Sequence, residues 1–222
     1  MDSVKTYDRV DEDDENLSFR ISKMEDHYSK RGGTPDTPHR HNYFTVLITR
    51  EANGTHIIDF NEYALEANQI YFISPGQVHQ VIEKSESNGF SMHFSHQFLA
   101  KNNIRLSFIE DLNLFHDFGL SPPLKINDEE LIKLEGYANE IYQIYNSDFA
   151  FKYDAIGSLL KLILIHANNV CSIPKGADDA IQNNNSILRQ FKSLINDNYK
   201  NWHTTSEYAS QLHITPDYLN RV

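Results

Sequence analysis

The order in which two hydrophobic periodicities follow each other constrains the fold of this chain more than any other feature. Residues 44–95 contain short runs rich in β-branched and aromatic residues, which recur about every ten residues between Asn-Gly and Ser-Pro-Gly turn signals. From about Gln97 onwards, apolar residues instead recur at helical spacing. Strands followed by helices indicate the α+β class, with an antiparallel barrel or sandwich before a helical layer.

The individual elements can be placed along the chain. The predicted strands are FTVLIT (44–49), THIIDF (55–60), QIYFIS (69–74), VHQVIE (78–83) and FSMHFS (90–95). The predicted helices cover residues 128–145, 151–170, 186–199 and 204–222. Residues 172–185 are polar, with Pro, Gly and a run of Asn, and are typical of a linker.

Charge and cysteine content narrow the class of protein. The net charge of −11 argues at first against a nucleic-acid partner, but residues 186–222 hold four basic and three acidic residues, so the excess acid lies before them. One cysteine, Cys171, excludes an internal disulfide framework and fits a reducing compartment. The acidic N-terminus is no secretory signal, and the most apolar stretch, 159–167, is too short for a membrane span. We therefore expect a cytoplasmic protein without a membrane partner.

The last nineteen residues have the pattern of two short helices joined by a turn. Thr205 can cap the first helix, and Thr215 followed by Pro216 is a strong start for the second. Ala209 is small where the two helices must cross, and His213 lies where the turn favours a left-handed residue. The pattern predicts a helix-turn-helix, with an ordinary corner between two helices as the alternative.

This segment resembles the first helix-turn-helix of AraC-type bacterial transcription regulators, in the pattern A-x-x-L-x-I-T-x-x-Y-L-x-R from Ala209 to Arg221. In that family the second helix enters the DNA major groove, so the resemblance implies DNA-binding positions on that helix. They are Thr215, Asp217, Asn220 and Arg221. The resemblance covers about the last 37 residues and lacks the family's second helix-turn-helix. We therefore expect a truncated DNA-binding domain, which by itself does not bind an operator specifically.

The first half resembles the two sequence motifs of cupin barrels, which AraC-type regulators often carry at the N-terminus. The resemblance rests on His39-x-His41, Gly54, Pro75-Gly76 and His79. Alternation along a strand also turns Tyr43, Thr45 and Leu47 to the same side as His41. The resemblance and the alternation predict a ligand pocket lined by His39, His41, Tyr43, Thr45 and His79, with Tyr71 and Met92 as weaker candidates.

The same motif raises the question of a metal ion. Three imidazoles could bind zinc or iron, but metal-binding cupins supply a Glu where this chain has Thr45. We expect no metal and no other cofactor, and no catalytic constellation is evident elsewhere in the sequence.

A second subunit is expected to pack on the helix at 151–170, whose apolar face is wider than one domain needs. The predicted dimerisation residues are Leu160, Ile163, Leu164 and Ala167, whereas Leu159, Leu162 and Ile165 are assigned to the helix's own domain. The alternative is that one chain covers both faces.

The predicted domain organisation follows from these patterns. It comprises an acidic mobile tail (1–16), a cupin-like ligand-binding barrel (17–100), a helical dimerisation region (101–171), a linker (172–185) and a partial DNA-binding domain (186–222). The predicted function is an effector-responsive, DNA-binding transcription regulator that acts as a homodimer and is not an enzyme. The alternatives are a cupin metalloenzyme of the dioxygenase or isomerase type and an adaptor whose barrel binds no ligand.

Overall fold

The computed structural model describes residues 4–11, 14, 17–112, 114–115, 121–170, 187, 190–191, 194–195 and 198–221, and the chain divides into two compact units, Met1–Cys171 and Ser172–Val222. The elements of the first unit are β1 (Lys5–Tyr7), β2 (Phe19–Lys23), α1 (Met24–Lys30), β3 (His39–His41), β4 (Phe44–Glu51), β5 (Gly54–Ile58), β6 (Asn61–Leu65), β7 (Gln69–Ile73), β8 (His79–Glu83), β9 (Asn88–Phe94), α2 (His96–Lys101), α3 (Leu106–Asp111), β10 (Leu124–Lys125), α4 (Asp128–Tyr145) and α5 (Lys152–Val170). The predicted α+β class is confirmed.

The strands form two five-stranded sheets. Sheet A has the order β1-β3-β8-β5-β6 and sheet B the order β10-β7-β4-β9-β2; the pairings are antiparallel except for β1 with β3. Side chains from both sheets pack together in one buried cluster: Leu47, Ile58, Leu65, Tyr71, Ile73 and Val81. The sheets therefore face each other as a sandwich, and within the described ranges they are not hydrogen-bonded into a closed barrel.

The helical layer covers the other side of sheet B. A large buried cluster joins the outward residues of β4, β7 and β9, among them Val46, Phe72 and Met92, to the apolar faces of α4 and α5. These strands are buried on both faces, which explains why β4 and β7 read as near-continuous hydrophobic runs. The cluster fixes the sheet that carries one wall of the pocket described below.

Five strands, β1, β2, β3, β6 and β10, are not among those predicted from the sequence, and the reason is visible for three of them. The β5–β6 hairpin turns at Asp59 and Phe60, both with positive φ (45° and 72°), and this turn has no glycine to signal it. β1 lies in the predicted mobile tail, where Lys5–Tyr7 pair with His39–His41 of β3. β3 itself is only three residues long. The described part of residues 1–16 is therefore not a free tail.

The dimerisation face predicted on α5 requires a correction. Leu160, Ile163, Leu164 and Ala167 are all 0% exposed and belong to the cluster that joins α4, α5 and sheet B. Leu162 and Ile165, which were assigned to the helix's own domain, are instead 41% and 38% exposed. The periodicity identified two apolar faces, but the broader one is the face that packs within the chain.

The second unit contains the predicted helix-turn-helix geometry, in α6 (Thr205–Gln211) and α7 (Pro216–Leu219). His213 has φ 55° in the turn, and the Thr215 hydroxyl accepts a hydrogen bond from the Tyr218 amide as the cap of α7. Ala209 is fully buried between the helices, as expected. The first helix is capped by Thr204 through a capping box with Glu207, one residue before the predicted Thr205. The predicted linker lies outside the described residues.

In the described part of the chain, no helix combines the length and the apolar character that crossing a membrane requires.

Candidate functional site

A cavity of about 430 Å³ lies between the two sheets and is the candidate ligand pocket. All five predicted pocket residues line it: His39, His41, Tyr43, Thr45 and His79. Leu47, which shares their side of the strand, also lines it. Such a volume is typical of a site for a small organic molecule.

Strand alternation explains how these side chains come together. His41, Tyr43, Thr45 and Leu47 alternate along the chain where β3 passes into β4, so their side chains turn to the same side. His79 comes from β8, where it pairs directly with His39 of β3. The predicted pocket residues therefore join β4 of sheet B to the β3–β8 pair of sheet A.

Four histidines and two hydroxyls form connected hydrogen bonds at the pocket. Nε2 of His79 lies 3.0 Å from Nε2 of His41, and Nδ1 of His79 lies 3.1 Å from Nε2 of His56. The hydroxyl of Thr45 lies 3.2 Å from Nε2 of His41 and 2.9 Å from Nδ1 of His93. Ser91 continues the second branch, with its hydroxyl 2.8 Å from Nε2 of His93. His41, His79 and His93 each have at least two polar neighbours, whereas His56 has one, His79.

Burial keeps these imidazoles neutral. Desolvation lowers the pKa of His41 to about 4 and that of His56 to about 3. The pKa values of His79 and His93 lie well below 6.5 for the same reason, with a smaller contribution from the neighbouring histidines. At neutral pH the pocket therefore offers uncharged donors and acceptors.

Charged residues from the N-terminal segment and α1 surround the rest of the cavity. Arg20 pairs with Asp11 at 2.9 Å, and Arg31 pairs with Glu83 at 2.5 Å. Lys30 also lines the cavity and lies exposed at the end of α1. Formal charges are thus paired or located where water can reach them, in contrast to the uncharged histidines.

Sequence reasoning missed several lining residues and misplaced two. His93, Ser91 and His27 line the cavity and were not identified. Met92 does not line it, because it pairs with Val46 and lies on the helix-facing side of sheet B. The same pairing places His93 opposite Thr45, so the register of β9 against β4 is the information that the sequence lacked.

Tyr71 also lies outside the cavity. Its side chain is 0% exposed and packs in the cluster between the sheets. Its hydroxyl lies 2.8 Å from both the carbonyl oxygen of Ala64 and Oε1 of Gln69, either of which can accept its proton. Tyr71 is therefore part of the core and not of the cavity wall.

The four positions predicted to bind DNA share one property in the second unit. Thr215, Asp217, Asn220 and Arg221 are all exposed, whereas Leu219 of the same segment is buried against α6. The segment thus turns polar side chains outwards and its apolar side chain inwards.

Two facing sheets with a polar cavity between them define a pocket-bearing domain of the cupin-like type. Residues 26–131 match the family model described as the AraC-like ligand binding domain. This part of the chain is therefore similar to the AraC-like ligand binding domain, in agreement with the resemblance seen in the N-terminal motifs.

Comparisons over the whole chain are looser. Curated proteins give no match. Among solved structures, the AraC-like transcriptional activator CuxR aligns with 12% identity and a TM-score of 0.40, over 79% of this chain and 58% of CuxR. ToxT from Vibrio cholerae aligns with 11% identity and a TM-score of 0.40, over 92% of this chain and 74% of ToxT. A ToxT structure with bound unsaturated fatty acid gives 10% identity and 0.38, over 94% and 73%. The similarity to the AraC-like ligand binding domain rests on residues 26–131 and not on these alignments.

Proposed function

We propose that this chain is an effector-responsive transcription regulator of the cytoplasm, which acts as a homodimer and binds rather than converts its small-molecule ligand. The observation that carries the proposal is the polar cavity of about 430 Å³, most of whose lining residues lie in the segment that matches the AraC-like ligand binding domain. The exposed polar residues in and beside α7 support the DNA-binding half of the proposal.

The ligand is expected to contact the neutral histidines together with Tyr43 and Thr45. Tyr43 stacks on the ring of His41 at 4.3 Å between centroids, which places an aromatic face beside the polar floor. Thermal-shift measurements across a library of sugars and other small metabolites test this half. A true effector should lose its shift in Tyr43→Ala and keep it in Tyr153→Ala, a matched truncation of an exposed tyrosine outside the pocket. A hit that behaves alike in both variants would not occupy this pocket.

DNA contact is expected from Thr215, Asp217, Asn220 and Arg221. Arg can read guanine and Asn can read adenine through paired hydrogen bonds. In helix-turn-helix proteins, the N-terminal residues of the second helix contact bases in the major groove of DNA. Chemical-shift mapping with duplex DNA at low salt should perturb these positions and the effect should fade as salt rises. Shifts centred on other faces of the second unit would contradict the assignment.

The effector would act by population shift, since a ligand can only favour an arrangement of two DNA-binding units that it binds better.

The metalloenzyme alternative makes a separate claim, namely that a metal ion is held by the pocket histidines. Metal analysis of tag-free protein purified without chelator separates the two, because stoichiometric metal would favour the enzyme.

A further inference from the structure

The cupin resemblance raises the question of whether His39, His41 and His79 hold a metal ion. The structure allows this fit to be tested. The candidate ligand atoms of these three residues lie within 4.8 Å of one another, so the side chains do converge. An imidazole nitrogen binds a metal only when it carries no proton. Whether the cluster suits a metal therefore depends on where its protons are.

The carbonyl oxygen of Tyr43 fixes the proton of His41. Nδ1 of His41 lies 2.8 Å from this oxygen, which can only accept, so Nδ1 carries the proton and Nε2 of the neutral ring does not. Nε2 of His79 lies 3.0 Å from that bare nitrogen. Two bare nitrogens would repel each other at this distance, so Nε2 of His79 carries a proton and donates it to His41.

The same reasoning extends one residue further. Since Nε2 of neutral His79 is protonated, its Nδ1 is bare and accepts the hydrogen bond from Nε2 of His56, 3.1 Å away. Nδ1 of His56 is then bare as well. This atom is buried and has no hydrogen-bond partner, which a bare acceptor tolerates better than a donor would.

We propose that His56 is a positioning residue that holds His79 in the tautomer that cannot ligate a metal through Nε2, so that the cluster serves as a hydrogen-bonding surface for an organic ligand. This part of the proposal rests on the proposed function. Metal binding would move the proton of His79 to Nδ1, reverse the bond to His56 and leave a proton on the buried Nδ1 of His56 without an acceptor. The residues present therefore do not fit a metal ion.

The tautomers also define what the pocket offers to an organic ligand. Nδ1 of His39 lies 2.8 Å from the carbonyl oxygen of Thr37 and so carries the proton of that ring. Nε2 of His39 is left as an acceptor without a hydrogen-bond partner among the described residues. A ligand that donates a hydrogen bond, such as one with a hydroxyl group, matches this atom.

Nitrogen-15 NMR of the histidine rings in the unmodified protein tests these proton positions directly. Long-range correlations should show protons on Nδ1 of His41, on Nε2 of His79 and on Nε2 of His56. A proton on Nδ1 of His79 would overturn the proposal, and this measurement does not depend on any variant folding.

Zinc titration of tag-free protein supplies the second test. The unmodified protein should bind zinc weakly, and His56→Asp should bind it about 10–100-fold more tightly, because a carboxylate only accepts and thus moves the His79 proton to Nδ1. His27→Asp is the matched control: it adds the same charge beside the cavity, at a histidine bonded to Ser22 and not to the cluster. Equal gains in both variants would reduce the effect to charge, and tight zinc binding by the unmodified protein would overturn the proposal.

Should His56→Asp not fold, His56→Phe removes the donor that keeps Nδ1 of His79 without a proton, and it buries no charge. It should raise zinc affinity over that of the unmodified protein, and unchanged affinity in a folded His56→Phe protein would contradict the role of His56.

Discussion

The two faces of sheet B are built from the same strands but carry side chains of different chemical character. Towards the helices, β4 and β9 present Val46, Ile48, Phe90, Met92 and Phe94, which belong to the large apolar cluster. Towards the cavity, the alternate positions of the same strands present Thr45, Leu47, Ser91 and His93. One face thus buries hydrocarbon and the other buries polar groups that are hydrogen-bonded to each other.

The difference separates what stabilises the fold from what can recognise a ligand. Burial of apolar area favours folding wherever water is removed. A buried imidazole instead loses its hydrogen bonds to water, and only hydrogen bonds to its protein partners replace them. We therefore expect the polar face to lower the free energy of unfolding and to be kept because it can bind a ligand. The predictions below test this division, from the largest expected effect on stability to the smallest.

Acid should destabilise the protein through its polar face. The pKa values of His41, His56, His79 and His93 are lowered in the folded state, so below pH 6.5 the unfolded chain binds more protons than the folded one. Stability is full above pH 6.5 and falls as the pH drops towards the folded values, by up to about 1.4 kcal/mol per histidine and pH unit. Urea unfolding at pH 7.5, 6.5 and 5.5 should show a loss of several kcal/mol.

The variant His93→Gln links this loss to the pocket. It removes one of the four groups while glutamine can still bond to Thr45 and Ser91, so the slope of stability against pH should fall by about one proton. A free energy of unfolding that stays constant from pH 7.5 to 5.5 would show that the buried histidines do not carry this cost.

Neighbouring residues on β9 provide a direct comparison of the two faces. Met92→Ala removes a side chain that is 0% exposed on the apolar face, and we expect a loss of about 2–5 kcal/mol. Ser91→Ala removes one hydrogen bond to His93 on the polar face and should cost about 0.5–1.5 kcal/mol. Denaturant unfolding at pH 7.5 measures both, and equal losses would remove the distinction between the faces.

Much of this architecture could be predicted because local signals agreed with it. The strands in 44–95 and the helix at 128–145 stand where alternation, helical spacing and turn residues place them. Strand β6 could not be predicted because its turn at Asp59 and Phe60 adopts positive φ without glycine. The face of α5 was misassigned because periodicity defines faces but not which neighbour each one meets.

The candidate site was predictable along one strand and not across strands. His41, Tyr43 and Thr45 follow from alternation within a continuous segment, and His39 and His79 follow from the cupin motif. His93 and Ser91 depend on the register of β9 against β4, which only the folded sheet fixes. His56 does not line the cavity and acts through His79, so no local pattern could have pointed to it.

Thr45→Glu should convert part of the polar face into a metal site. The position lies beside His41 and is 1% exposed, so the new carboxylate could act as a fourth ligand next to the converged histidines. We expect zinc or manganese to bind about tenfold more tightly or better, which corresponds to about 1.4 kcal/mol or more. Isothermal titration of tag-free protein measures the change.

The matched control is Ser91→Glu, which adds the same charge to the cavity beside His93 instead. Its gain in affinity should be smaller. If neither variant binds metal better than the unmodified protein, a carboxylate at position 45 does not complete a metal site with the three histidines.

The last comparison moves to α5, where the two faces again differ and the smallest effect on stability is expected. Leu162 and Ile165 are exposed, so changing both to Glu should alter the free energy of unfolding by about 0.5 kcal/mol or less. If a second subunit packs on this face, the same change should turn a dimer into a soluble monomer, because two charges would be buried at the contact. Leu160→Glu with Leu164→Glu should instead prevent folding, because both side chains are 0% exposed within their own domain. Sedimentation velocity and urea unfolding distinguish the outcomes. An unmodified protein that already sediments as a monomer would remove the dimer from the proposed function, and a folded Leu160→Glu, Leu164→Glu protein would show that the broad face of α5 is not the one that supports sheet B.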